Sequence, residues 1–373
     1  MIEVIKGSKA CARCNYCKVC PVYTVESWES SSPRGKLYAI KSLVEKEINI
    51  DARTVKELFK CTTCGICEVI CQVEIPLVKL WEELREFLNN NGYVLPVHKK
   101  LKERTFREWN PYGESREKRI EWLNEINIKP SSSELLYFAG CTSSYRVQNL
   151  AKNTVELFSK VDVKFSYAGI NEFCCGSPFL RTGQMDIAQK LFLKNYKIWK
   201  EMDVRRIVTS CAGCYRTIAK DYPRIAEKLG YNFDFEVLHT VQLLDEIIDD
   251  VNLSKINIKA TYHDPCHLGR HMGVYEEPRR VIKKLGIELV EMERNRDNAF
   301  CCGAGGGVRS QFKELAFEIG KLRVKEALDT DTKYLISCCP FCELHLSQSL
   351  KYFDEKISVL DLVEVVNKKV EDL

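Results

Sequence analysis

The sequence predicts a multidomain α plus α/β protein, in which an N-terminal α-helical domain is followed by two tandem, duplicated α/β domains. Three observations support this architecture: two cysteine runs near the N-terminus, amphipathic stretches beside those runs, and a second cysteine pattern that occurs twice in the remaining chain. The expected boundaries place the helical domain at 1–105, a charged linker at 106–132, and the cysteine-rich domains at 133–254 and 255–373.

Composition indicates the compartment and the role of the cysteines. The 373 residues are 45% hydrophobic and 29% charged, which is typical of a globular protein. No apolar run reaches the roughly 18 residues of a membrane span, and "MIEVIKGSKAC" lacks the features of a signal peptide. Nineteen cysteines without a secretory signal predict metal ligands in a reducing cytoplasm rather than disulfides.

The first two cysteine runs have the spacing of cluster-binding loops. Together, "CARCNYCKVCP" and "CTTCGICEVIC" supply eight thiols: Cys11, Cys14, Cys17, Cys20, Cys61, Cys64, Cys67 and Cys71. The second run has the C-x2-C-x2-C-x3-C spacing of two-cluster ferredoxins, in which the fourth cysteine binds the other cluster, whereas the first run ends with a two-residue gap. The crossed sets for two [4Fe–4S] cubanes are then Cys11, Cys14, Cys17 and Cys71, and Cys61, Cys64, Cys67 and Cys20. A pair of zinc knuckles is the alternative.

The sequence between and after these runs predicts helices. In "SPRGKLYAIKSLVEKEI", Ser32 is a suitable N-cap and Pro33 a suitable first residue for a helix whose apolar positions recur at helical spacing. "IPLVKLWEELREFLNNNG" repeats that pattern and ends at Gly92. The N-terminal domain is therefore predicted to be an α-helical ferredoxin with two [4Fe–4S] cubanes, not the strand-built type.

The formal net charge of +4 does not predict a nucleic-acid partner. This value counts every cysteine as neutral, whereas a cluster held by four thiolates is anionic. Basic residues also alternate with acidic ones, as in "KELFK" and "REKRIEW", and they form no basic stripe. We therefore expect no interaction with nucleic acid.

The remaining chain carries the same cysteine pattern twice: a single cysteine, a CC doublet and a CxxC pair. The first quintet is Cys141, Cys174, Cys175, Cys211 and Cys214, and the second is Cys266, Cys301, Cys302, Cys339 and Cys342. Apolar runs precede the matching cysteines in "ELLYFAGC" and "KATYHDPC", and in "RRIVTSC" and "KYLISCC". "FEVLHTVQLLDEII" and "ISVLDLVEVVNKKV" also match. Strands alternating with helical stretches predict duplicated α/β units with ligands at the strand ends.

Five thiolates exceed what the four irons of a cubane take singly, so each quintet predicts a larger or opened iron–sulfur cluster. In "FCCGAGGG", the glycines at 303, 305, 306 and 307 are expected to let the backbone pass close to a bulky inorganic core. A dinucleotide-binding loop is the alternative, but Val308 stands where GxGxxG needs a glycine.

These two repeats resemble the cysteine-rich CCG domains of heterodisulfide reductase. With the twin-cluster domain, and with "SPRGK", "NPYGESREKRIEW" and "YHDPCHLGRH", the chain is similar to the D-type subunit of that enzyme. It also resembles the iron–sulfur subunits of glycolate, D-lactate and anaerobic glycerol-3-phosphate dehydrogenases. The resemblance implies one or two noncubane [4Fe–4S] clusters held by the two quintets, with zinc an alternative in the first. It also implies that paired clusters of this kind cleave a disulfide.

Two functional hypotheses follow for an oxidoreductase of this type. In the first, electrons pass through the cubanes to the quintet clusters, where a disulfide or a similar two-electron acceptor reacts. In the second, the chain links a flavin-dependent 2-hydroxy-acid or glycerol-3-phosphate dehydrogenase to quinone. A non-redox zinc scaffold is a weak third hypothesis. No flavin-binding segment is visible, so we expect a flavoprotein partner, a membrane quinone-reactive subunit, and a cytoplasmic site at the inner face of the membrane.

Other polar residues near the quintets are less defined. His263 and His267 flank Cys266, and we predict that they donate protons, since histidine titrates in the useful range. Hydrogen bonding to cluster sulfurs or capping of strand ends is the alternative for both. Arg181 and Arg309 follow the CC doublets, and they either bind an anionic substrate or have a surface or cluster-charge role. Cys338 fits no quintet position and is predicted to be a buried spare.

Overall fold

Helices make up the N-terminal part of the chain. The computed structural model describes residues 1–249 and 255–367. The helices before the first strand are α1 Ile2–Ala10, α2 Pro21–Glu26, α3 Pro33–Val44, α4 Ala52–Phe59, α5 Ile66–Val69, α6 Leu77–Asn90, α7 Pro96–Glu108 and α8 Glu121–Asn124. Short 3-10 turns occur at Tyr16–Val19, Glu29–Ser31 and Glu117–Ile120.

The two helices predicted from the sequence are confirmed as α3 and α6. The Ser32 hydroxyl accepts a hydrogen bond from the Gly35 amide at 2.9 Å, and Pro33 is the first residue of α3. Helix α6 buries its apolar stripe, including Trp81 and Leu84. Helix α4 was not predicted, although Asp51 caps it by accepting from the Thr54 amide at 2.7 Å. The first cysteine run lies between α1 and α2, and the second lies between α4 and α6, with Cys67 in the short helix α5.

The first cysteine-rich unit contains a parallel sheet in the order β1-β2-β3, formed by Leu135–Tyr137, Arg206–Thr209 and Glu236–His239. A single parallel bridge joins Leu136 to Ser166. The helices of this unit are α9 Gly140–Tyr145, α10 Gln148–Lys160, α11 Ser177–Arg181, α12 Met185–Glu201, α13 Ala212–Arg216, α14 Tyr222–Leu229 and α15 Thr240–Ile247. A π-helical turn, Thr217–Asp221, joins α13 to α14, and a 3-10 turn occurs at Gly169–Asn171.

The second unit repeats this arrangement with one more strand. Its parallel order is β5-β4-β6-β7, where β4 is Lys259–His263, β5 Glu288–Leu289, β6 Tyr334–Ser337 and β7 Ser358–Asp361. The helices are α16 Gly269–Met272, α17 Glu276–Lys284, α18 Val308–Gln311, α19 Lys313–Leu328, α20 Pro340–Leu350 and α21 Leu362–Asn367, with a 3-10 turn at Arg296–Asn298.

The predicted duplication is confirmed by the strand order. Strands β1, β2 and β3 correspond to β4, β6 and β7, and each pair comes from sequence runs that we matched. Because all strands are parallel, their carboxyl ends meet at one edge of each sheet, and the cysteines follow these ends. In the stretch "VRSQFKELAFEIGKLRVKEAL", Phe312 separates the helical residues into α18 and α19.

The segment predicted to be a charged linker packs against the first sheet. Trp122 is fully buried there and contacts Tyr137 edge to face with ring centroids 6.5 Å apart. Arg119 is also buried, and α7 continues across the expected boundary at residue 105. The domain boundaries themselves stay a prediction, and residues 250–254 and 368–373, where two of them fall, lie outside the described residues.

Among residues 1–249 and 255–367, no helix is both long and apolar enough to span a membrane.

Candidate metal centres

Four cysteines from both N-terminal runs line one small cavity. Cys20 from the first run meets Cys61, Cys64 and Cys67 from the second, and Lys36 and Trp81 complete the wall. Burial, together with the neighbouring Cys61 and Cys64 sulfurs, raises the pKa of the Cys20 thiol to about 12. This is the crossed set predicted for the second cubane, brought together in space, while its role as a ligand set stays a prediction.

The other predicted cubane set lies nearer the surface. Burial raises the pKa of Cys17 to about 11, and the nearby thiols of Cys11 and Cys14 add to this rise. Cys71 lies just after α5, which packs against the 3-10 turn Tyr16–Val19 that carries Cys17. All nineteen cysteines fall within the described ranges, and Cys14 is the one that is exposed.

The two quintets face a single cavity. Its volume is about 460 Å³, and all ten quintet cysteines are among its lining residues. The residues alone placed the quintets in separate repeats, and only the family resemblance implied that the two would act as a pair. A small molecule in this cavity therefore has both sets of sulfur atoms within reach.

The first quintet is positioned by the carboxyl ends of β1 and β2. Cys141 lies in α9 just after β1, and its Sγ accepts a hydrogen bond from Arg119 Nη2 at 3.2 Å. Arg119 is in turn paired with the buried Glu172. Hydrogen bonds from the thiols of Cys174 and Cys214 lower the pKa of Cys175 to about 6. A buried thiolate is thus favoured, which is the form that binds metals.

The second quintet has the same arrangement after β4 and β6. The Sγ atoms of Cys302 and Cys342 are 3.5 Å apart. Hydrogen bonds from Cys301 and Cys342 lower the pKa of Cys302 well below the usual thiol value. Cys339 is the second residue after the end of β6. Hydrogen bonds from Cys211 and Cys342 lower the pKa of its thiol well below the usual value.

Sulfur atoms from neighbouring sets contact each other. Cys64 donates a hydrogen bond to Cys301, which together with burial raises the pKa of Cys64 well above its usual value. The bond from Cys211 to Cys339 joins the first quintet to the second. These sulfur contacts therefore lead from the second cubane set to the second quintet, and from there to the first quintet.

Two of the glycines after the second CC doublet lie against backbone of the second cysteine run. A Cβ on Gly306, whose φ is +61°, would lie 2.1 Å from the Cys61 carbonyl oxygen, and one on Gly305 would lie 2.6 Å from the Thr62 oxygen. The close neighbour of these two positions is backbone of the N-terminal helical domain, so Gly305 and Gly306 let the second cysteine run pack closely against the second quintet. Gly305, Gly306 and Gly307 also line the cavity of the quintets, and the close approach of this loop to an inorganic core stays a prediction.

Arg85, a buried arginine that was not predicted from the sequence to have a role, also holds the second cysteine run close to the second quintet. Arg85 Nη1 donates to the carbonyl oxygens of Arg181 (2.7 Å) and Gly306 (3.0 Å), and Nη2 donates to those of Phe59 (2.9 Å) and Cys61 (2.8 Å). Arg85 thereby joins all three domains. Its only sequence signal is a charge close to the apolar face of α6, and a charge in such a helix ordinarily indicates a solvated position.

Of the two predicted proton donors, His263 is buried and His267 is half-buried. Burial and the charge of Arg323 lower the pKa of His263 to about 3, and burial and Arg181 lower that of His267 to about 3. His267 lines the cavity, whereas His263 is not among its lining residues. Neither has the titration range assumed from the sequence, and a proton-donor role stays a prediction for both.

The other polar residues separate into distinct environments. Arg181 is buried and paired with Asp221 and with Glu82 of α6, at 2.8 Å from the latter, and it also lines the cavity, so its two predicted roles both stay predictions. Arg309 lines the cavity, and its Nη1 atom is buried without a hydrogen-bond partner in the described part of the chain. Cys338 is buried outside the cavity, beside Tyr262, as predicted for a spare cysteine.

The donor set fits iron–sulfur clusters better than hard cations. Each predicted site offers clustered thiols among apolar side chains, and soft thiolates favour iron–sulfur, zinc and copper(I) over magnesium or calcium. One further group of candidate ligands, His263, Cys302 and Cys342, has all three ligand atoms within 4.8 Å of one another.

Comparisons with known proteins agree with this geometry. A model of a 4Fe-4S dicluster domain matches residues 7–75, and a model of a cysteine-rich domain matches residues 135–219 and 260–347. The chain is 36% identical to the D-type subunit of a dihydromethanophenazine:CoB–CoM heterodisulfide reductase from Methanosarcina barkeri, over 96% of this chain and 92% of that protein.

Two further relatives are named as oxidoreductases of other kinds. The B-type subunit of a fumarate reductase (CoM/CoB) from Methanothermobacter marburgensis is 32% identical over 98% of this chain and 73% of its own length. An EtfAB:quinone oxidoreductase from Syntrophomonas wolfei is 30% identical over 88% of this chain and 48% of its own length.

These matches define an iron–sulfur oxidoreductase built from a 4Fe-4S dicluster domain followed by two cysteine-rich domains. Within that class, the chain belongs to the family of the D-type subunits of heterodisulfide reductase. The resemblance described from the sequence is thereby confirmed.

Proposed function

We propose that this chain is the subunit of an iron–sulfur oxidoreductase complex in which a disulfide is reduced between the two quintets. The observation that carries this proposal is the single cavity lined by all ten quintet cysteines. Reduction of a disulfide needs two electrons and two protons and yields two thiols. Two facing cluster sites would supply the electrons as a pair, one from each side of the S–S bond.

The ligand sets are part of the proposal. Cys11, Cys14, Cys17 and Cys71 would bind one cubane, and Cys20, Cys61, Cys64 and Cys67 the other. The first quintet would bind a noncubane cluster or zinc, and the second a noncubane cluster. Electrons would then travel along the order of sulfur contacts, through Cys64 and Cys301 to Cys339 and Cys211.

The position of Cys14 supports entry of electrons at the first cubane set. This cysteine is exposed, and beside it Tyr16 and Val19 are 55% and 43% exposed. Apolar exposed side chains around a redox site are typical of a surface that a partner covers. A flavoprotein partner would deliver electrons here, at a distance from the cavity where the disulfide reacts.

Charge around the cavity favours an anionic disulfide. Arg104, Arg146 and Arg309 are lining residues, and the unpaired Nη1 atom of Arg309 offers a donor to an anion. The alternative, transfer of electrons to quinone, is favoured by the relative named EtfAB:quinone oxidoreductase. In that alternative, the clusters of the quintets would only relay electrons, and the chain would bind no substrate at them.

An assay of the isolated chain separates these two functions. We expect anaerobically prepared protein, given reduced benzyl viologen, to reduce 3,3′-dithiodipropionate faster than cystamine, because the arginines attract the anionic disulfide and repel the cationic one. A short-chain ubiquinone is the comparison acceptor, and consumption of each is followed by oxidation of the viologen.

The relay alternative gives a different result. Oxidation of reduced viologen by neither disulfide, with quinone reduction appearing only when a flavoprotein partner is added, would contradict disulfide reduction by this chain. Tyr16→Glu is the control for electron entry, since it should weaken partner-dependent turnover and leave viologen-dependent turnover unchanged.

A further inference from the structure

A fully buried arginine fixes the orientation of His263 at the end of β4. Arg323, on α19, donates from Nε to His263 Nδ1 at 3.0 Å. The same guanidinium donates to the Arg294 carbonyl at 2.9 Å and pairs with Glu326 at 2.9 Å. Arg323 is 0% exposed, so these contacts are held by the packing around it.

The contact determines which ring nitrogen of His263 carries the proton. A guanidinium has donors and no acceptor, so Nδ1 must be the acceptor in this hydrogen bond. A neutral imidazole then carries its proton on Nε2. Nε2 is buried and has no hydrogen-bond partner among the described residues. The sulfurs of Cys302 and Cys342 are close by, since they and a ring nitrogen of His263 lie within 4.8 Å of one another.

Two interpretations fit this proximity. Two cysteines and a histidine are a common ligand set for zinc, and a histidine ligand needs an unprotonated nitrogen facing the metal. A histidine that binds metal through Nε2 normally donates its other N–H to an acceptor, which fixes the tautomer. At His263 the other nitrogen faces a donor, so this tautomer is excluded. The geometry leaves His263 as a hydrogen-bond donor.

We propose that Arg323 is a positioning residue that holds His263 as the Nε2–H tautomer, so that His263 donates a hydrogen bond to a cysteine sulfur of the second quintet. This inference rests on the proposed occupancy of that quintet by an iron–sulfur cluster. A hydrogen bond to a ligand sulfur stabilises the added negative charge of the reduced cluster, and it thereby raises the reduction potential.

The two repeats differ at this position. Phe138 stands three residues before Cys141 in the first repeat, as His263 stands three residues before Cys266 in the second. Phenylalanine has no donor, and in the first repeat Cys141 accepts instead from Arg119, which comes from a different segment. The His263 hydrogen bond is therefore specific to the second quintet, and its loss should affect one site.

The test compares His263→Leu with His263→Gln in the holoprotein. Redox titration followed by EPR should show one signal moving to a more negative midpoint potential in His263→Leu, with the iron content unchanged. His263→Gln, which retains an N–H donor, should recover part of the shift, and Arg323→Met should reproduce part of it. His345→Leu removes another buried histidine of the same domain, bonded to the Ala316 carbonyl, and should move no potential.

Pulsed EPR of the unsubstituted protein with ¹⁵N-labelled histidine gives an independent result. We expect a weak nitrogen coupling and an exchangeable proton at one cluster. A strong coupling typical of direct ligation, or the loss of metal from His263→Leu, would overturn the proposal, as would unchanged potentials in both His263 variants. Zinc in place of iron at this quintet would instead contradict the proposed function, and metal analysis distinguishes that case.

Discussion

Cys302→Ser is expected to abolish or rearrange the cluster of the second quintet and to reduce turnover of the complex by more than about 100-fold, since even changes in groups behind the ligands cost up to that much. Serine keeps the size of cysteine, but its hard oxygen is a poor substitute for a soft thiolate. The cubane sets lie in another domain and should still be reduced. Iron content, EPR of the reduced protein and turnover are measured together.

The matched control is Cys338→Ser. Cys338 is as buried as Cys302 and only one residue from Cys339, but it does not line the cavity. Its replacement should leave iron content and turnover close to those of the unsubstituted protein. Normal turnover in Cys302→Ser would mean that the second quintet is structural, and the reaction would have to be assigned to the first.

Gly306→Ala is expected to separate the second cubane set from the second quintet. The new Cβ would lie 2.1 Å from the Cys61 carbonyl oxygen, so the loop that carries Cys61 and Cys64 must move. Electron transfer slows as two redox centres move apart, so a displaced loop should lengthen the path from the second cubane set to the second quintet. We predict a several-fold loss in the rate at which a disulfide re-oxidises the reduced cubanes, measured by stopped-flow absorbance.

Gly273→Ala controls for backbone strain in that experiment. Gly273 has φ +77°, close to that of Gly306, but no atom lies within 4 Å of the Cβ position. Both alanines carry the left-handed penalty of about 1–2 kcal/mol, and only Gly306→Ala adds the collision. Equal re-oxidation rates in the two variants would contradict a close junction between the domains.

The sequence was informative where one local pattern determines the result. The cap at Ser32, the apolar stripe of α6 and the strand before each cysteine pair all depend on a few neighbouring residues, and all are found as expected. The duplication was visible because the same spacing occurs twice. The assignment of Cys20 to the set of Cys61, Cys64 and Cys67 followed from the spacing known for two-cluster ferredoxins. No other feature of this sequence indicated it.

The contacts between domains were not predictable in the same way. Arg85 donates to carbonyls from 24 to 221 residues away, and any backbone carbonyl can accept, so no residue type marks its partners. Arg119 reaches Cys141 from the segment predicted to be a charged linker. The glycines at 305 and 306 were recognised as close-approach positions, but the sequence could not say whether a cluster or another backbone approaches them.

Iron, acid-labile sulfide and zinc contents of anaerobically prepared protein test the central claim, that the crossed sets and the two quintets bind iron–sulfur clusters. We predict about four clusters, on the order of 16 irons with matching sulfide per chain, from the ligand sets of two cubanes and two further clusters. About one zinc with correspondingly less iron would assign zinc to the first quintet. Zinc in excess of iron would contradict the claim, because zinc has no redox chemistry and could not carry electrons between these sites.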